Sequence, residues 1–568
     1  MRNICLTVVV VTLVSNGYCH AGPDAAGGHA TLQTAPVVVG QAQPTTEPTL
    51  TGGALLQTAQ LPTTPEGKVL IRSIRITGTT VFLPEELRLL VAGVEGQELS
   101  LAEIEALAAR ITSYYRSRGY VIARAYVPPQ RVQDGILEIA VLEGRIGKVE
   151  VQGATHYSAE RIKAYAVPPK EEPVFNARQH ERGMLLLNDL PGLKVESTLK
   201  PGTEVGTTDV VLNVVKDRWI TGTVETNNFG SRLNGYYRGG FSADLNNPTG
   251  LGDFASVRFV GALEHLDKTW FTRGAYTIPV NMLGTKVGVA YTHAESAIGR
   301  EFATLGINGS GDLASIFIAH PFIRTQALSL YGQAGFDYKN FKTNAVGTQV
   351  NEDTLSVFNI GGSIDVVDGW RGLTSAGVSL QRGVPGFLGS MRATNAPAAS
   401  RFGAGGEFTK LIATVARLQE IYGPISMFGK LTGQWTDDKL VVPEQFIAGG
   451  AGIVRGYPIA EIIGDQGFTF TGEFRWNAPG FSEVPAFGGK TWGDLLQVFA
   501  FLDYGEVRTL SPLIQGETKH RDITSTGAGL RFGFPNRFQF SLEYAKPIGP
   551  RPSDHRDEFA YFQAVVAF

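Results

Sequence analysis

The segment Phe468, Thr469, Phe470, Thr471, Gly472, Glu473, Phe474, Arg475, Trp476, Asn477 puts an aromatic residue or glycine at every even position. Every odd position is polar or charged. Only an extended strand has a side-chain period of two, so one face of this segment is apolar and the other polar. Residues 537–544 repeat the pattern, with Phe538, Phe540, Leu542 and Tyr544 against Arg537, Gln539, Ser541 and Glu543. So do 495–504, where Leu496, Val498, Ala500, Leu502 and Tyr504 share a face. A soluble β-sandwich also alternates, but three features point to a membrane barrel. Aromatic residues gather near strand ends, as in membrane girdles. Tight turns at Asn247-Pro248, Pro279, Gly423-Pro424 and Pro535-Asn536 alternate with long loops. The final segment is a strand with Phe562, Val566 and Phe568 on one face. About sixteen such segments fill 217–568, an even number within the range of bacterial outer-membrane barrels.

Composition agrees. Of 568 residues, 18% are charged and 69 are glycine, where a soluble domain averages about 25% charged. The net charge of −3 implies no basic face, so nucleic acid is not an expected partner. Mean hydropathy is near zero. A closed barrel pairs its own backbone groups and needs no long apolar run.

At the N-terminus, Met1-Arg2-Asn3 is a short basic region, Ile4–Val14 is apolar, and Cys19-His20-Ala21 offers small residues for cleavage. The apolar run is too short to span a bilayer as a helix. Residues 1–21 are therefore expected to be a signal peptide, and cleavage after Ala21 removes both cysteines, Cys5 and Cys19. That excludes a disulfide framework, a thiol nucleophile and a cysteine metal site. Residues 22–68, rich in Thr, Pro, Gly, Ala and Gln, read as a linker.

Between linker and barrel the pattern β-α-α-β-β occurs twice, over 69–144 and 145–216. In the first copy Ile71, Ile74 and Ile76 predict a strand ending at Gly78. Pro84 opens a short helix to about Leu90. Ser100 and Glu103 form a capping box for a longer helix with Leu101, Ile104, Leu107, Ala108 and Ile111 as its stripe. Strands follow at Ile122–Val127 and Ile136–Leu142. The second copy has a strand at Val149 and Val151, helices near 158–165 and 176–189, and strands at 193–199 and 209–215.

Several motifs make the chain resemble the outer-membrane transporters of two-partner, type V secretion, the hemolysin-activator and filamentous-haemagglutinin type. Tyr115-Arg116-Ser117-Arg118-Gly119-Tyr120, Ala125-Tyr126-Val127-Pro128-Pro129-Gln130 and Val141-Leu142-Glu143-Gly144-Arg145-Ile146 are similar to that family's first POTRA module. Leu186-Leu187-Asn188-Asp189-Leu190-Pro191-Gly192 resembles its second, and Asn228-Phe229-Gly230-Ser231 and Leu245–Asp253 are similar to the end of its first barrel strand and its first periplasmic turn. Val454-Arg455-Gly456-Tyr457 resembles the hallmark of the sixth extracellular loop, which folds into the barrel. Phe501-Leu502-Asp503-Tyr504-Gly505 resembles its Phe-x-Asp-x-Gly strand motif. Counted from Arg218, Arg455 follows the eleventh strand and Asp503 lies on the thirteenth.

Parity places Asp503 and Glu473 on lumen faces. A guanidinium carried inward by the loop would meet them, and its planar fork suits a bidentate carboxylate. Arg455 is therefore expected to pair with Asp503, with Glu473 as a secondary partner, while Gly452 and Gly456 let the loop tip turn. The resemblance implies a membrane all-β fold, a 16-stranded antiparallel barrel preceded by two POTRA domains. It implies transport of an unfolded secreted exoprotein bearing an N-terminal secretion domain, captured in the periplasm by the POTRA modules through strand addition. It also implies contact with outer-membrane lipids and with the assembly machinery, the latter through a C-terminal signal of Phe562, Val566 and Phe568. An N-terminal plug helix is part of the resemblance, yet only a weak stretch around Ala54–Leu61 answers to it.

No catalytic residue, cofactor or metal is expected. Gly489-Lys490-Thr491 lacks the upstream glycine of a phosphate loop, Gly250–Ala255 lies in a strand–turn–strand, and the nine histidines show no ligand spacing. The rival readings are an outer-membrane insertase of the same superfamily and a passive porin.

Overall fold

The computed structural model describes residues 67–132, 134–166, 174–392, 398–511, 513 and 517–568. The expected signal peptide and the stretch around Ala54–Leu61 lie outside the described residues. The chain forms two compact units. Among the described residues, one holds 67–188 and 193–217 and the other 189–192 and 218–568.

The first unit contains both βααββ modules. Module one comprises β1 (Val69–Ile71), β2 (Ser73–Thr77), α1 (Pro84–Leu90), β3 (Gln97–Leu99), α2 (Leu101–Ser117), β4 (Arg124–Tyr126) and β5 (Ile136–Leu142). Its sheet runs β2-β5-β4, with β2 parallel to β5. The single strand expected from Ile71 to Gly78 is instead two, because β1 turns away to pair with β3. Strand β4 is shorter than expected. The Thr112 hydroxyl accepts from the Ala125 amide at its middle (2.9 Å), and Pro128-Pro129 follows it. Helix α2 starts at the Ser100–Glu103 capping box and buries Ile104, Leu107, Ala108, Ile111 and Tyr115. Leu101, expected in that stripe, is 47% exposed at the first helical position.

Glu143 is buried in this module and explains two motif positions at once. Its Oε1 accepts from the Thr80 and Val81 amides (2.8 and 2.9 Å) and from the Tyr115 hydroxyl (2.8 Å). Its Oε2 accepts from the Thr80 hydroxyl. Burial alone would push this carboxyl up, but those hydrogen bonds outweigh it and hold it below the ordinary range.

Module two comprises β6 (Arg145–Gln152), α3 (Ala159–Ala166), α4 (Ala177–Asn188), β7 (Leu193–Pro201) and β8 (Thr207–Asp217), in sheet order β6-β8-β7. The joint between modules uses the end of the Tyr115–Tyr120 motif. The carbonyls of Ser117, Arg118 and Gly119 accept from the Arg178 guanidinium (2.8 Å), the Asn176 amide side chain (3.2 Å) and the Ala177 amide (2.8 Å).

The second unit is a closed antiparallel barrel of sixteen strands. They are β9 (Ile220–Asn227), β10 (Arg238–Asn246), β11 (Phe254–Ala262), β12 (Trp270–Pro279), β13 (Lys286–Ala297), β14 (Asn308–Arg324), β15 (Leu328–Ala345), β16 (Thr348–Val367), β17 (Gly372–Gly383), β18 (Phe408–Tyr422) and β19 (Ile425–Thr436). After a small ribbon, β20 (Phe446–Ala448) with β21 (Ile462–Gly464), come β22 (Gln466–Asn477), β23 (Leu496–Arg508), β24 (His520–Phe534), β25 (Phe538–Pro547) and β26 (Phe559–Ala567). The alternation of short turns and long loops is not strict. Strands β15 and β16 meet in a turn at 346–347 on the loop side. On the turn side, 478–495 is long and carries the one-turn α5 (Trp492–Leu495).

The barrel is inside-out relative to a soluble protein. Val224, Phe241, Val257, Ile316, Ile360, Phe470, Phe474 and Leu542 are exposed, while Glu473, Arg475, Lys410, Asp503 and Arg531 are buried. An apolar outer band over a polar interior is what a lipid-facing barrel requires. Closure pairs β26 with β9 over Gln563–Ala567, and Phe568 exchanges both backbone hydrogen bonds with Gly222. Val566 and Phe568 are exposed and Phe562 is half-buried beside Tyr237.

Candidate functional site

Loop 437–465, between β19 and β22, folds into the barrel. Val454, Arg455 and Tyr457 at its tip are all nearly fully buried. Gly452 and Gly456 adopt left-handed φ of +75° and +86°, which favours glycine.

Arg455 is the centre of the site. Its Nε and Nη2 bond both oxygens of Asp503 (2.7 and 2.9 Å), the bidentate fork expected from its geometry. Its backbone amide also donates to Asp503 (3.1 Å). Nη1 donates to Glu473 and to Glu543, each at 3.0 Å. Glu473 in turn binds Arg475 at 2.9 Å and Arg531 at 3.0 Å. Three cations and three carboxylates therefore form one cluster on β22–β25 and the loop tip. Each guanidinium also lies over a phenylalanine ring: Arg455 on Phe501 (3.4 Å), Arg531 on Phe499 (3.8 Å) and Arg475 on Phe428 (4.3 Å). Such contacts strengthen when water is excluded.

The remaining motif residues shape the same contact. The Gly456 amide donates to the Tyr561 hydroxyl (2.9 Å), and the Tyr457 hydroxyl donates to the Pro550 carbonyl (2.8 Å). Val454 packs with Ala448, Tyr457, Ile462, Val507 and Ile523. Gly505 is needed for close approach, because a Cβ there would lie 2.8 Å from Ala448 Cβ and 3.0 Å from Val454 Cγ2.

Sequence reasoning placed Arg455, Asp503 and Glu473 together but missed Glu543, Arg531 and Tyr561. Glu543 and Arg531 were legible only as lumen-facing residues, and nothing local couples them to a loop about eighty residues away. Also missed was a second anchor of the loop. Glu444 sits between Lys339 of β15 and Lys410 of β18, with Nζ–O distances of 2.7 and 2.8 Å, and is 1% exposed. At the loop base Arg401 binds Asp465 (2.5 Å) and the Leu440 carbonyl (3.1 Å).

A closed sixteen-stranded barrel with an apolar outer band, a loop folded into its lumen and two preceding βααββ modules defines a POTRA-bearing β-barrel protein of the Gram-negative outer membrane. Residues 206–532 match the family described as haemolysin secretion/activation protein ShlB/FhaC/HecB, and 69–144 match the POTRA domain of ShlB type. The chain belongs to the ShlB/FhaC/HecB family and is an outer-membrane transporter of two-partner secretion. It is 24% identical over 490 residues to the heme/hemopexin transporter protein HuxB of Haemophilus influenzae, covering 85% of this chain and 84% of that one. It is 24% identical over 435 residues to the outer membrane transporter CdiB of Dickeya dadantii, covering 74% of each. The solved structure of CdiB from Escherichia coli superposes with a TM-score of 0.73 at 22% identity, covering 90% of this chain and 93% of that one.

Proposed function

We propose that this transporter captures one unfolded exoprotein, bearing an N-terminal secretion domain, at POTRA modules that lie in the periplasm. The exoprotein then passes through the barrel lumen to the cell surface. The observation that carries this reading is the loop tip held inside the lumen by Arg455, Asp503, Glu473 and Glu543. The two βααββ modules before the barrel support the same reading, since a passive pore would leave them unexplained. The chain acts without a cofactor and is not an enzyme. Its outer band contacts lipid, and Phe562, Val566 and Phe568 form the signal read by the outer-membrane assembly machinery.

The test is deletion of the gene. One large protein should vanish from the culture medium and return on complementation. Complementation with Arg455→Ala or Asp503→Ala should restore a correctly assembled barrel but little of that protein. Loss of many outer-membrane proteins would favour an insertase instead, and loss of small-solute uptake alone would favour a porin.

A further inference from the structure

Three buried side-chain oxygens that find no hydrogen-bond partner lie on one stretch of the lumen wall: Ser296 Oγ of β13, Thr343 Oγ1 of β15 and Asp353 Oδ2 of β16. Ser296 opposes Gly309, Gly309 opposes Thr343, and Thr343 opposes Asn351. Asp353 follows two residues later on the same face of β16, since side chains alternate along a strand. This stretch lies near the loop-side turn at 346–347. Asp353 is 0% exposed and Thr343 1%. The other Asp353 oxygen, Oδ1, accepts from the Ser400 amide (3.0 Å). Water satisfies a buried hydroxyl, but a buried charge is paired or held to a metal ion. Cations close by in the fold already hold other carboxylates. Lys339 and Lys410 hold Glu444, and Arg401, next to Ser400, holds Asp465 and Glu517. Asp337, on the Lys339 face of β15, adds a further carboxylate, bonded by Ser315 (2.6 Å) and Asn359 (3.2 Å). Lys339 and Lys410 against Asp337, Asp353 and Glu444 leave a net charge of −1.

We infer that Asp353 Oδ2, Thr343 Oγ1 and Asn351 Oδ1 bind a calcium ion. The donors are all oxygen, which suits a hard cation rather than a transition metal. Calcium takes oxygen ligands in flexible geometry, whereas magnesium demands a near-ideal octahedron. Among the described residues, no group of three or more His, Cys, Asp or Glu side chains is placed as a metal centre. One carboxylate with neutral oxygens therefore makes a weak site, with a Kd of about 1 mM, as in extracellular calcium modules. The ion would brace more than one strand pair. Asp353 holds the Ser400 amide, the Glu352 amide donates to the Ala398 carbonyl (2.8 Å), and the Ser400 hydroxyl accepts from the Val442 amide (3.0 Å) of the inward-folded loop. Calcium at Asp353 would thus fix segment 398–401, and through it the base of loop 437–465, to the wall. Ligand spacing along the chain does not reveal such a site, because its donors sit on two strands and only one of them is charged.

The test uses the purified full-length transporter with calcium, magnesium or sodium chloride added at matched ionic strength, and reads hydrogen exchange at the Ser400 amide. At about 10 mM calcium and a Kd of about 1 mM, exchange there should slow about tenfold, the factor being one plus the ratio of calcium to Kd. Magnesium and sodium should each change it less than about twofold. Asp353→Asn should abolish the calcium response while the barrel stays closed. Thr343→Val, which removes one neutral oxygen and keeps the shape, should weaken the response at least about threefold. Glu352→Gln, which alters a carboxylate on the opposite face of β16, should keep it. Exchange in the parent that is indifferent to calcium, or that responds equally to magnesium or sodium, overturns the inference. So does a calcium response that survives in Asp353→Asn. In those cases the export reading stands, since it rests on the loop tip and not on this wall.

Discussion

Replacing Arg455 by alanine should release the loop tip while leaving the barrel closed. The magnitude follows from what remains. Glu473 keeps Arg475 and Arg531. Asp503, fully buried, loses the guanidinium that bonds both its oxygens. Removing one partner of a buried ion pair costs about 3–5 kcal/mol, because an uncompensated charge is left behind. The low end applies, since Glu473 keeps its partners and Glu543, which also loses Arg455, is only partly buried. About 3 kcal/mol corresponds to roughly a hundredfold shift in the ratio of docked to undocked loop. Hydrogen exchange reads that ratio directly. The Arg455 and Gly456 amides are protected by Asp503 and the Tyr561 hydroxyl only while the tip is docked. In Arg455→Ala, exchange at 455 and 456 should rise about a hundredfold, while β22 and β23 exchange as in the parent. Asp503→Asn should give a smaller rise, because Arg455 keeps Glu473 and Glu543. Exchange within threefold of the parent in Arg455→Ala would show that other contacts hold the tip and that the ionic cluster is not its anchor.

Three further outcomes are expected. Gly505→Ala forces a methyl group against Ala448 and Val454; overpacking of this kind costs about 1–3 kcal/mol, and it should raise tip exchange without altering barrel assembly. Glu444→Gln removes the charge that Lys339 and Lys410 both bind, so single-channel recordings in planar bilayers should show more frequent large openings, and an unchanged record would refute the anchor. For Glu143 the sign follows from its depressed pKa. The stabilisation is present above the ordinary carboxylate value of about 4.3 and is lost as pH falls through the lower folded value. Thr80 and Val81 amide protection, corrected for intrinsic rate, should therefore collapse in acid, and Glu143→Gln should weaken it at neutral pH.

Much of the architecture was legible because strict alternation commits each barrel segment to a face and closure then commits the strand count. Asp503 and Glu473 were placed in the lumen by parity alone, and the structure buries both. What the sequence hid were pairings set by the path of the loop into the lumen rather than by local pattern. Glu543 reaches Arg455 because the loop tip lies against β23 and β25, two strands apart in the sheet. The Glu444–Lys339–Lys410 anchor joins a loop to strands some thirty and a hundred residues away, and no short motif spans that separation. In module one, the β1–β3 ribbon escaped notice because three-residue strands are too short to show a period.

The six-ion cluster has a consequence for the pore as a conductor. With Arg455, Arg475 and Arg531 facing Asp503, Glu473 and Glu543, the docked wall is electrically neutral. When the tip alone leaves, it carries the Arg455 charge away and the cluster left on β22–β25 bears a net charge of −1, while Glu444 stays between Lys339 and Lys410. Release of the tip should therefore shift the pore toward cations, and the change in reversal potential in a salt gradient would report the position of a single arginine.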